Sequence, residues 1–127
     1  DHYDCLLYGL DAGQGDGPRI DYDLRRRDSE IEENPEAGIA KIEEVCAVLE
    51  QLDADLETVL LVKMDTGSDT DDQWAPSTIV RELQFLLSHT VHHFALISTM
   101  NSINNIATPE DFGVAPSTLV HRRKNFG

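Results

Sequence analysis

The stretch Arg81 to Ile97, RELQFLLSHTVHHFALI, decides how the chain is read. It lies within a run from Pro76 to Asn104 whose pattern predicts a single long helix. Pro76-Ser77-Thr78 supplies capping hydroxyls at the start, and Asn104-Asn105 supplies the stop. At 1.5 Å per residue such a helix spans about 40 Å. Ile79, Leu83, Phe85, Leu86, Leu87, Val91, Phe94, Leu96 and Ile97 fall on most of its sides. A helix apolar nearly all round belongs at the centre of a bundle.

Three of the five histidines fall in this helix, at His89, His92 and His93. His89 and His93 are four residues apart, so their rings share one face a turn apart and can hold one metal ion. The same face carries Glu82, Leu86, Leu96 and Met100, which places His93 in line with core positions. His92 points a quarter-turn away and is not a candidate ligand. The bland alternative is a pair of hydrogen-bonded core histidines. Burying both without partners costs about 1–3 kcal/mol each, which a metal or a carboxylate such as Glu82 removes. The spacing also resembles the zinc-protease pattern H-E-x-x-H, but Thr90 stands where that mechanism needs its glutamate. A protease is excluded on that ground.

Outward from the helix the pattern weakens. Residues 1–10, DHYDCLLYGL, read as the later part of a helix already under way, with Tyr3, Leu6, Leu7 and Leu10 at helical spacing. The Gly-rich loop after it, GQGDG, has neither the lysine of a P-loop nor a preceding strand, and reads as a linker. Residues 19–33 read as an irregular crossover with a helical turn near Arg25. Asn34-Pro35 opens a second clear helix to about Leu52, with the stripe Ile39, Ile42, Cys46, Leu49 and Leu52. Its stripe is expected to pack on Leu83, Leu86 and Ile97. Thr58 to Met64, TVLLVKM, reads as one short strand. Residues 65–73, DTGSDTDDQ, form an acidic loop without the ligand order of a calcium-binding EF-hand. The tail after Pro109 is punctuated by Pro and Gly and reads as an extended strap.

Composition bounds the function. The 127 residues fit one domain. Lys and Arg number 10 against 24 Asp and Glu, a formal charge of -14, so nucleic acid and anionic membrane are repelled. The basic clusters Arg25-Arg26-Arg27 and Arg122-Arg123-Lys124 are expected to pair with surrounding acids. No run is apolar enough to span a membrane, and no signal peptide is visible at Asp1. Cys5 and Cys46 make no disulfide framework, and neither has a basic neighbour that activates a thiol. A soluble, acidic, cytoplasmic protein is expected.

Residues 81–97 are similar to the closing helix of the DinB/YfiT-like family, in which a His-x-x-His-His cluster supplies two metal ligands. Asp111-Phe112-Gly113-Val114-Ala115-Pro116-Ser117-Thr118 resembles the tail of one bacterial subgroup. So does Ile20-Asp21-Tyr22-Asp23 with Arg25-Arg26-Arg27-Asp28. The resemblance implies a mainly α, up-and-down four-helix bundle over residues 1–127, here with its first helix missing or truncated. It also implies a three-histidine site for a divalent ion (zinc, nickel or iron). His89 and His93 supply two ligands; His2 supplies the third, or that ligand lies upstream of Asp1. Without a third ligand the site is weak or empty. Some family members are thiol-dependent transferases or isomerases, and many have no known activity. The expected function is that of a divalent-metal-binding protein, a metal-dependent transferase or hydrolase acting on a small molecule. The alternative is a non-catalytic bundle whose histidines are structural and which acts through dimerisation. A bundle short of one helix exposes apolar surface, which predicts a homodimer.

Overall fold

Residues 59–63, VLLVK, carry branched and aliphatic side chains that suit a pleated, buried strand, and they form the central strand of a sheet. The structure, a computed structural model, describes residues 1–13, 17–26, 29–67 and 73–126. In the order in which the chain makes them, the strands are β1 (Arg19–Asp21), β2 (Val59–Lys63) and β3 (Ala75–Thr78), and the sheet order is β1-β2-β3. β1 runs parallel to β2, with Ile20 opposite Val62, and β3 runs antiparallel, with Val59 opposite Thr78. Pro76 has no N–H to give a ladder, and it stands on an edge strand, where that loss is tolerated.

This sheet overturns the expected helical bundle: the fold is mixed α/β. Two of the three strands have no periodic signal of their own. Arg19–Asp21 reads as crossover and Ala75–Thr78 as a helix cap. Both become strands because β2 offers them backbone partners, a tertiary effect that outweighs local preference. A parallel pair needs a long crossover, which here holds a 3-10 turn (Tyr22–Leu24) and the helices α2 (Ser29–Glu33) and α3 (Pro35–Glu50).

Helix α1 (His2–Asp11) lies against β1 and buries Leu6 and Gly9. A Cβ on Gly9 would run into the carbonyl oxygen of Arg19 and the side chain of Ile20, so only glycine lets the helix sit this close. Leu6, Ile20, Tyr22, Leu60 and Ile79 form the buried core around the sheet. Each such aliphatic side chain contributes about 1.5–3 kcal/mol on burial.

The start of α3 follows its sequence signals. Asn34 Oδ1 accepts hydrogen bonds from the backbone N–H of Glu36 (3.0 Å) and Ala37 (3.3 Å), and Pro35 takes the first helical position. Its apolar stripe does not behave as expected. Ile39, Ile42 and Cys46 are exposed, and no residue of α3 is buried. What ties α3 to α1 is polar: Lys41 Nζ lies 2.9 Å from a carboxylate oxygen of Asp4.

Helix α4 (Ile79–Ile103) starts three residues later than the sequence implies, after β3. Thr78 still caps it, its hydroxyl accepting from the backbone N–H of Arg81 at 3.3 Å. The chain divides into two compact units, Asp1–Glu82 and Leu83–Gly127. In the second unit α4 ends in a Schellman motif. Ile106 donates to the carbonyl of Asn101 (2.8 Å) and Asn105 to that of Ser102 (3.2 Å), with Asn105 at φ 57°. The following segment folds back on the helix: Phe112 stacks on Phe94 with ring centroids 4.7 Å apart. Gly113, at φ 77°, passes so close that a Cβ would sit 2.5 Å from the backbone nitrogen of Ala95. The tail is not an extended strap but a further helix, α5 (Pro116–Phe126). Pro116 at its first turn and Arg123 and Lys124 in its last suit the helix dipole.

Candidate functional site

The helical turn of α4 brings the predicted pair, four residues apart, together. His89 Nε2 and His93 Nε2 lie 3.0 Å apart, with the two rings edge to face at a centroid distance of 4.6 Å. Phe85, one turn earlier, stacks on His89 at 5.8 Å and limits its rotation. His92 sits beside the pair, its ring 5.7 Å from that of His93 and exposed. Two nitrogens sharing one ion at about 2.0–2.1 Å each lie about 3.0–3.4 Å apart, depending on the angle between them. The pair fits two positions of a divalent ion's shell without moving a helix turn.

The surroundings differ from the expected core. His89 is half-buried and His93 exposed, and Leu96 and Met100 on the same stripe are 47% and 55% exposed. The cost of burying unsatisfied imidazoles therefore gives no argument for a metal here; the convergence of the nitrogens does. Among the described residues no group of three His, Cys, Asp or Glu side chains is placed to hold a metal ion. His2 belongs to the first unit, where its ring packs against Tyr22 (5.8 Å) and its Nε2 lies 3.3 Å from a guanidinium nitrogen of Arg25.

Glu82, the carboxylate expected to satisfy a histidine ring, is committed elsewhere. It is buried, 5% exposed, and is the buried charged residue among the described residues. Its carboxyl oxygens accept from Tyr22 Oη at 2.7 Å and from Ser77 Oγ at 2.5 Å. Burial, then the hydrogen bond to Glu82, pushes the Tyr22 phenol far above its ordinary value. This trio joins the start of the crossover, β3 and α4. The sequence reading missed it, because residues 22 and 82 are brought together only by the sheet. Cys5 is half-buried, and that burial pushes its thiol up, away from the thiolate that nucleophilic chemistry needs. Asp4 is raised by burial but lowered further by Lys41 and the N-terminal ammonium, and ends below the usual carboxylate range.

Residues 68–72 of the acidic loop and Gln14 to Asp16 of the glycine-rich loop lie outside the described residues, as does Arg27 of the first basic cluster. Arg122, in the second cluster, lies 3.8 Å from Asp111, in keeping with pairing to acids. Among the described residues no helix is long and apolar enough to cross a membrane.

No family model matches the chain, and no solved structure matches it. Among curated proteins it is similar to FK506-binding protein 5 of Rhizopus delemar, 32% identical over 108 residues. The match takes in 83% of this chain but 28% of that protein, so the chain spans under a third of the relative's length.

Proposed function

We propose that the chain is a divalent-metal-binding protein whose ion is held by His89 and His93, as the resemblance to DinB/YfiT-like proteins implies. The observation that carries the reading is the 3.0 Å separation of the two Nε2 atoms on consecutive turns of α4. Two neutral imidazoles suit zinc, nickel or iron and leave the ion's charge uncompensated. When bound, such an ion supplies Lewis-acid chemistry to a coordinated water or small-molecule substrate, in line with a transferase or hydrolase. The residues' part is to present both ring nitrogens on one side of a stiff helix, with Phe85 holding His89 in place.

The test is zinc uptake by untagged protein, read by elemental analysis and competition with a chromogenic chelator. His93→Ala should lower affinity by at least about a hundredfold, the loss of one of few ligands, while His92→Ala leaves it within a few-fold. Equal uptake by parent and His93→Ala, or none by either, overturns the reading. The histidines are then a hydrogen-bonded surface pair.

A second reading rests on the sequence similarity alone: that the chain shares the FK506 binding for which its relative is named. Titration of the chain with FK506 distinguishes the two, since saturable binding that survives His93→Ala favours the second.

A further inference from the structure

We draw no further inference here: the strongest candidate, the exposed apolar surface patch of Ile39 and Ile42 on α3, carries nothing because nothing in the structure shows what covers it.

Discussion

Glu82 is buried and takes two hydrogen bonds, one from the buried Tyr22 hydroxyl and one from the half-buried Ser77 hydroxyl on the edge strand. Replacing Glu82 with Ala strands the buried Tyr22 hydroxyl, at about 1–3 kcal/mol, and removes a smaller contribution at the half-buried Ser77. Tyr22→Phe removes one donor and leaves Ser77 in place, so it should cost about 1–2 kcal/mol. Denaturant unfolding of both variants checks the order. The phenol adds a pH signature. Its folded-state value is raised above the ordinary 10.0, so its contribution is complete below that pH. The contribution is lost as pH climbs, because the unfolded chain releases the proton first. Stability should fall above about pH 10, and Tyr22→Phe should show a shallower fall over that window. An identical alkaline slope in both proteins would count against the buried trio.

At the scale of elements, legibility follows the range of the forces involved. The cap at Asn34-Pro35 was readable because every atom of it lies within three residues. β2 was readable because its own side chains demand burial. β1 and β3 were not, since Arg19–Asp21 and Ala75–Thr78 carry polar or proline residues and owe their conformation to the strand between them. The His89 and His93 spacing could be read from helical geometry alone. Their exposure could not, because periodicity says which residues share a face and is silent on what covers it. α5 has its signals, Pro116 at the start and basic residues at the end, but Pro and Gly also punctuate loops, and local pattern does not separate the two. Gly113 gives a test at this scale. It holds a positive φ, and a Cβ added there would sit 2.5 Å from the Ala95 backbone nitrogen. Gly113→Ala should cost about 2–3 kcal/mol through strain and displacement of the return segment. Thermal melting followed by helix content should register it, and a melting curve that does not shift would show that Gly113 is free to move off α4.

At the scale of the whole molecule the excess of 24 acidic over 10 basic residues governs association. If two copies associate through apolar surface, added salt should tighten the contact, because the screening length falls from about 10 Å at 0.1 M to about 3 Å at 1 M. Sedimentation equilibrium at the two salt levels should show tighter association by at least a few-fold at the higher one. Weaker association in high salt would mean that attraction between opposite charges, not apolar contact, holds the copies. The division into two compact units has an optical consequence. Trp74 and all three tyrosines, Tyr3, Tyr8 and Tyr22, belong to the first unit, with Arg19 lying 5.7 Å from the Trp74 ring. The second unit has neither Trp nor Tyr, and phenylalanine is its only aromatic residue with near-ultraviolet absorption. Intrinsic fluorescence excited near the red edge of protein absorption therefore watches the sheet and not the histidine-bearing helix. Far-ultraviolet dichroism reports the helices of both units, so a transition seen in it without a change in fluorescence is assigned to the second.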